Sequence, residues 1–332
     1  MVKDKLVFSM IQPSGELGIG HYLGAIKHWK SLQAQGARCM FAIANLHAIT
    51  VSQEPQDLRR RSLDLAAFYI ACGIDPKQSV IFTQSDVPHH TELAWILSSM
   101  TSMGELNRMT QFKDKTTHLK RERIGVGLHI YPVLMAADIL AYQTHYVPVG
   151  DDQKQHLELT RDLAQRFNDK YGKVFEVPKP LIAEYGSRIK SLTNPEKKMS
   201  KSDQDSNSYI ALSDTPKVVE KKIKRAVTDS LNQFKYDRQE QVGLASLIEM
   251  YAALTDQVPQ QVVAQFENAG YGHFKMTLAN ELNAQLLDIN QKFSAIRSDE
   301  VLLQQILLQG SQEAKKVANA TLQRVFQSMG LI

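Results

Sequence analysis

Leu6-Val7-Phe8-Ser9-Met10 runs into Gln12-Pro13-Ser14-Gly15 and Gly18-Ile19-Gly20-His21, and from His21 to Gln35 the residues Leu23, Ile26, Trp29 and Leu32 recur at helical spacing. This is strand, loop, helix. Cys39 to Ala44 repeats the pattern as a second buried-type strand, Pro55 to Cys72 as a second helix through Leu58, Leu65, Phe68 and Tyr69, and Ser79 to Thr83 as a third strand. Strands alternating with helices of this length predict an α/β unit with a parallel sheet covered on both faces, because parallel neighbours need a crossover between them.

Further on, Thr91 to Gln111 reads as a helix with an interruption at Gly104, and Tyr131 to Tyr142 as a helix opened by Pro132. Between them Lys113 to Gly127 has no apolar period and predicts a surface loop. Tyr146 to Val149 returns as a strand into Gly150-Asp151-Asp152-Gln153, and Gln153 to Phe167 is strongly helical. In an open α/β sheet ligands bind at the carboxyl ends of the strands, so the turns after Met10 and Val149 are expected to face one crevice. From Thr215 to Ser328 no strand is evident. Five or so helical segments follow, separated by Asp229 to Glu240, Gly270 to Gly272 and Gly310, which predicts an all-helical tail packed directly on the α/β part.

With 332 residues, 43% apolar and 22% charged, the chain has the composition of a globular protein of two or three domains. Cys39 and Cys72 lie in apolar segments, so neither a disulfide framework nor a cysteine-ligated metal site is expected. No apolar run approaches ~18 residues and no signal peptide precedes Leu6, so the expectation is a cytoplasmic protein with no membrane span. The net charge is +4, yet residues 203 to 332 carry 13 Lys+Arg against 15 Asp+Glu, so the basic excess belongs to the first 202 residues. Two local clusters stand out, Lys113 to Arg123 and the group Lys217, Lys221, Lys222, Lys224 and Arg225. Each reads either as a solvated face or as a contact for an acidic partner.

The chemistry lies in two loops and one carboxylate. Gly15, Gly18 and Gly20 with Ser14 put unencumbered backbone N–H groups at a helix start, where the donors are unpaired and the helix dipole favours an anion. His21 adds a polar group that could donate to phosphate or ribose oxygens. Roughly 180 residues downstream, Lys198-Met199-Ser200-Lys201-Ser202 offers two ammonium groups and two hydroxyls suited to a departing polyphosphate. Met135-Ala136-Ala137-Asp138-Ile139-Leu140 sets one carboxylate in an apolar helix; Asp138 is either near solvent or there to meet a donor. No Ser-His-Asp or Cys-His arrangement is visible.

The two loops resemble the HIGH and KMSKS signatures of class I aminoacyl-tRNA synthetases. The resemblance narrows through Ile11 to Gly15, His47-Ala48-Ile49-Thr50, Gly104-Glu105-Leu106 with Arg108 to Lys113, Tyr131-Pro132 through Asp138, Val147 to Gly150 with Asp152 to His156, and Lys197 to Asp203. In order and spacing these are similar to the bacterial tryptophanyl-tRNA synthetase family across essentially the whole chain. The resemblance implies a Rossmann-like catalytic domain over 1–202, with a helical dimerisation insertion at about 90–145 and the KMSKS loop at its end, and a helical anticodon-binding domain over 203–332. It implies a homodimer that makes tryptophanyl-adenylate from L-tryptophan and ATP and esterifies tRNA(Trp), with Mg²⁺ carried by the nucleotide. ATP falls on Gln12, Pro13, Ser14, Gly20, His21, Gly150, Asp151, Asp152, Ile189 and Lys198 to Ser202. Catalytic roles fall on Gln12, His21, Lys198, Ser200, Lys201 and Ser202. Tryptophan falls on Phe8, His47, Tyr131, Met135, Ile139 and Gln153, with Asp138 accepting the indole N–H. The cluster Lys217, Lys221, Lys222, Lys224 and Arg225 becomes a candidate tRNA contact.

Departures from the family are Gly18 where Thr or His is usual, His21 for Asn, Asn45 for Asp and Gln204 for Pro. Gly18 is read as removing a side chain that faces the phosphates, so Gly18→Thr is expected to be neutral or faster. With no cysteine after Cys72, the chain cannot hold the cysteine-ligated cluster that some members carry near the anticodon site. The alternatives are a tyrosine-specific relative, against which the apolar string around Asp138 argues, and a non-ligating paralogue with a binding or regulatory role.

Overall fold

The computed structural model describes residues 2–110, 125–150, 153–182, 189–199, 203, 205–231 and 233–332. Five strands, β1 (Leu6–Ile11), β2 (Arg38–Ile43), β3 (Ser79–Thr83), β4 (Tyr146–Pro148) and β5 (Lys179–Leu181), form one sheet in the order β3-β2-β1-β4-β5. Every pairing is parallel, with Leu6 beside Arg38, Cys39 beside Ser79 and Val7 beside Tyr146. The strands are apolar on both sides because helices cover both faces. Alternation then sorts their side chains: Val7, Cys39 and Phe41 enter one core cluster, and Leu6, Phe8, Met40 and Ala42 the other. Strand β5 has only three residues and contains Pro180, which an edge position tolerates.

The first crossover is a single α-turn at Ile19–His21, a π-helical stretch at Tyr22–Ile26, and α1 (Lys27–Ala34). Trp29 of α1 stacks on Phe41 of β2, ring centroids 4.5 Å apart. Then come α2 (Asn45–Ala48) and α3 (Pro55–Ala71), whose buried Tyr69 hydroxyl accepts from Ile11 N and donates to Ala42 O, each at 3.1 Å, tying β1 to β2 at their carboxyl ends. The stretch expected as one helix from Thr91 is two, α4 (His89–Ser98) and α5 (Met103–Asn107), because Ser102 and Glu105 form a capping box that starts a new helix ahead of Gly104. Helix α6 (Val126–Leu140) begins before Pro132 and carries it inside, and α7 (Lys154–Tyr171) leads to β5. The cluster Lys113 to Arg123 lies outside the described residues.

The tail is helical: α8 (Pro216–Arg225), α9 (Val242–Thr255), α10 (Pro259–Phe266), α11 (Tyr271–Ser298) and α12 (Glu300–Met329). Helices α8 to α11 extend the first core cluster through Val219, Ile223, Ile248, Phe274 and Leu278. Gly310 was expected to separate two helical segments, yet α12 is continuous through it. Its role is close approach: α12 runs along the open β3 edge, with Leu303 and Leu307 in one cluster and Ala314, Ala318 and Leu322 in the other. A Cβ on Gly310 would stand 1.9 Å from the Ile81 carbonyl oxygen. Ser311 Oγ donates to Asp86 Oδ2 at 3.1 Å and Gln143 Nε2 to Thr321 Oγ1 at 3.2 Å, so the last helix returns from the tail and shields an edge strand of the sheet. Gly310→Ala gains roughly 1 kcal/mol of helix propensity but drives a methyl group into a backbone carbonyl, an overlap of about 1–3 kcal/mol. A lowered urea midpoint is expected; a raised one would contradict this packing.

Candidate active site

Strand order reverses between β1 and β4, and at their carboxyl ends opens a cleft of about 1330 Å³. On one side Gln12 leaves β1, Ser14 N donates to Gln12 O at 2.8 Å, and Gly15 turns with φ 62°. Gln12, Gly20 and His21 line the cleft, while Pro13 and Ser14 shape the turn without forming its wall. Gly150 enters from the end of β4, and Ile189, Lys198 and Met199 from the root of the second loop. Asp151, Asp152, Ser200, Lys201, Ser202 and Gln204 lie outside the described residues.

The two loops are joined by backbone. Gly18 pairs with Ala211 as an antiparallel bridge, Ile19 N donates to Ile210 O at 3.1 Å, and Leu212 N to Leu17 O at 2.8 Å. A Cβ on Gly18 would stand 2.3 Å from Ile210 O, and one on Gly20 would lie 3.7 Å from Met199 Sδ. This corrects the reading of Gly18 as a lost phosphate-facing side chain. Its φ of −167° is open to any residue; what demands glycine is the neighbouring carbonyl.

On the other side Phe8, His47, Tyr131, Met135, Ile139 and Gln153 line the same cleft. One buried imidazole orients two of them: His156 Nε2 lies 3.0 Å from Tyr131 Oη and its Nδ1 2.9 Å from Gln153 Oε1. Asp138 is fully buried behind this wall. Gln84 Nε2 donates to both carboxylate oxygens at 2.9 Å, His47 Nε2 to Oδ2 at 2.8 Å, and His90 Nδ1 to Oδ1. Gln84 is itself oriented by Leu46 N, which donates to its Oε1 at 3.0 Å. Burial, with the Asp138 charge nearby, raises the Tyr142 phenol well above its ordinary value, and its hydroxyl lies 2.5 Å from His90 Nε2, while His90 Nδ1 faces Asp138. Burial alone would raise the Asp138 carboxyl; the charge of His90 and hydrogen bonds from both imidazoles outweigh it and hold the group down at about 2. Asp138 is an ionised acceptor aimed at by donors, and His47 stands between it and the cleft.

Gln84, His90 and Tyr142 were not legible as site residues: Gln84 and His90 lie 54 and 48 positions from Asp138, and Tyr142, in the turn just after α6, joins the network through His90. The basic helix α8 does not present all five of its basic charges on one surface. Lys217, Lys221, Lys224 and Arg225 are exposed, but Val219, Lys222 and Ile223 form the buried face of α8. Lys222 is 6% exposed, with Nζ 2.6 Å from Asp214 Oδ2 and 5.1 Å above the Tyr209 ring, so it is removed from the contact surface expected of that cluster.

Comparison with known proteins gives a consistent result. A model of the family "tRNA synthetases class I (W and Y)" matches residues 3–287. The chain is 48% identical over 328 residues to the tryptophan–tRNA ligase of Caldanaerobacter subterraneus subsp. tengcongensis, covering 99% of each. Among solved structures, the tryptophanyl-tRNA synthetase from Mycoplasma pneumoniae superposes with a TM-score of 0.92 at 36% identity, covering 98% of both chains. The tryptophanyl-tRNA synthetase from Campylobacter jejuni complexed with ADP and tryptophan gives 0.79 at 35% identity, over 98% of this chain and 99% of that one.

Asp138→Ala leaves three buried donors without an acceptor, at about 1–3 kcal/mol each, and is expected to lower stability by ~3 kcal/mol or more. In the wild type the unfolded carboxyl, ordinary value 3.8, binds a proton that the folded one, held at about 2, does not. Stability from this group is therefore complete above pH ~4 and is lost as pH falls toward ~2. Urea titrations at pH 6, 4 and 2.5 check this; equal acid sensitivity in wild type and variant would contradict it.

Proposed function

The chain belongs to the class I tRNA synthetases of the W and Y group, among its bacterial tryptophanyl members, and we propose how its cleft carries out tryptophan–tRNA ligation. In the first step a carboxylate oxygen of tryptophan attacks the α-phosphorus of ATP; the bond to the bridging oxygen breaks and pyrophosphate leaves with the electron pair. In the second, a ribose hydroxyl at the 3′ end of tRNA(Trp) attacks the acyl carbon and AMP leaves. Neither step needs a protein nucleophile. What the protein supplies is alignment and stabilisation of spreading negative charge.

The observation carrying this reading is that two loops suited to phosphate and an apolar pocket suited to an aromatic ring open on one cleft. Gln12, Pro13, Ser14, Gly20, His21, Gly150, Asp151, Asp152 and Ile189 would cradle ATP. Lys198 and Lys201 would neutralise the leaving pyrophosphate, with Met199, Ser200 and Ser202 shaping that loop. Mg²⁺, arriving on the nucleotide's phosphates, would spread their charge. The indole lies among Phe8, Tyr131, Met135 and Ile139, and its N–H reaches Asp138 when His47 gives up its bond to Oδ2. Gln153 orients the amino-acid end. The exposed row Lys217, Lys221, Lys224 and Arg225 meets tRNA phosphates, while other parts of the tail contact the anticodon.

Trp95 of α4, Met103 of α5 and Val126 of α6 are 77%, 65% and 72% exposed, with Ile130 beside Val126 on the same helix. Large apolar side chains gathered within the segment 90–145 support a homodimer formed there. Among the described residues no helix is long and apolar enough to cross a membrane. The enzyme would act in the cytoplasm, where its tRNA substrate is found.

Pyrophosphate exchange with different amino acids tests the function. Tryptophan should support it; phenylalanine, which lacks the donor and would leave Asp138 poorly matched, should be disfavoured by ~10⁴ or more in kcat/KM. Tyrosine-dependent exchange of equal efficiency would sink the assignment. Lys201→Ala should slow exchange at least ~30-fold with tryptophan Kd within a few fold, since its charge acts as pyrophosphate departs. Trp95→Glu should convert a dimer to a monomer in light scattering; a variant that stays dimeric would move the interface elsewhere.

A further inference from the structure

Lys222 points away from the row of exposed lysines on its own helix. A buried ammonium needs a partner, and one carboxylate would suffice to fasten α8 to the body. The partner does more than that. Asp214 Oδ2, which receives Lys222 Nζ at 2.6 Å, also accepts Ala211 N at 2.9 Å. Ala211 is the residue that bridges Gly18, and its neighbours Ile210 and Leu212 hold Ile19 and Leu17. A short path of polar contacts therefore runs from Lys222 through Asp214 to the backbone edge on which the phosphate loop rests. Tyr209, beneath the ammonium, lines the cleft itself.

A second branch ends at the other loop. Val227 N, just past α8, donates to Leu192 O at 2.8 Å, and Leu192 N donates to Ser208 O at 2.9 Å. The segment holding Leu192 carries the isolated bridge between Lys190 and Lys198, and Met199 N donates to Ile189 O at 2.9 Å. The end of α8, the root of the lysine loop and the segment 208–214 are thus one hydrogen-bonded body. Lys275 Nζ fixes the same helix end from α11, donating to Ala226 O at 2.7 Å.

We infer that Lys222 is a positioning residue for the ATP step: its ion pair with Asp214 sets the Ile210–Ala211 edge against Gly18, and links the placement of the phosphate loop to the helix whose outer face carries Lys217, Lys221, Lys224 and Arg225. The inference rests on the function proposed above. It gives one short helix two faces, the outer for an acidic partner and the inner for the nucleotide loop.

The test is pyrophosphate exchange by Lys222→Met, with ATP varied at saturating tryptophan, beside equilibrium dialysis of tryptophan without ATP. The expected result is a fall of about tenfold or more in kcat/KM for ATP with tryptophan Kd within about twofold, a split that general loosening of the fold would not give. Adding Asp214→Asn, which removes the charge left unpaired and keeps a carbonyl for Ala211 N, should recover most of the loss. If Lys222→Met does not fold, Asp214→Asn alone takes its place with the same expected split. Unchanged exchange, or parallel loss of ATP and tryptophan affinity, would overturn the inference alone, provided the wild type exchanges. A wild type without tryptophan-dependent exchange would overturn the function and this inference together.

Discussion

At Gly18 the chain passes so close to the Ile210 carbonyl that a β-carbon would stand 2.3 Å from the oxygen, and this approach makes one site out of two distant stretches. The loop after β1 comes to the carboxyl edge of the sheet because the strand order reverses there. The segment after the lysine loop reaches it from nearly 200 residues downstream. Only a backbone with no side chain at the contact lets Ile19 N–H and Leu17 C=O meet Ile210 and Leu212 directly. A Cβ on Gly20 would reach Met199 Sδ at van der Waals distance, so the two loops also approach closely there. The phosphate loop is held from below by its own strand and from the side by the partner loop's continuation.

The amino-acid side obeys a different constraint, the requirement that a buried charge be met by donors. Asp138 has no exposure and collects Gln84, His47 and His90, of which Gln84 is held by Leu46 N and His90 by the Tyr142 hydroxyl. Such a carboxylate is rigid, its acceptor positions are taken, and it does not lie open. His47 belongs both to the network and to the cleft wall, so entry of a donor from the cleft is an exchange of hydrogen bonds. Exchange of this kind favours a ligand that replaces the lost bond over one that cannot.

Much of this was legible in the sequence. Strands β1 to β3 announce themselves as short apolar runs because both faces are buried, and the turns after β1 and β4 were placed on one crevice by the parallel order alone. β5 was not legible: three residues with a proline at an edge carry no pattern. Gly310 looked like a helix break because glycine more often ends helices than lets them lie against a strand. Lys222 looked like its neighbours Lys221 and Lys224 because charge runs are read along the chain, while α8 distributes them around an axis. Gly18 departs from a family habit, but its determinant is a carbonyl 192 residues away. For Gly310 and Gly18 the missing information was a partner distant in sequence.

Single-turnover formation of pyrophosphate by Gly18→Thr, with ATP and tryptophan both saturating, tests the dependence of the site on that backbone approach. A side chain there must push Ile210 aside, an overpacking of about 1–3 kcal/mol, so the rate is predicted to fall about tenfold or more. A rate equal to or above the wild type, with unaltered thermal stability, would contradict it and would mean that the two loops are not held together at Gly18.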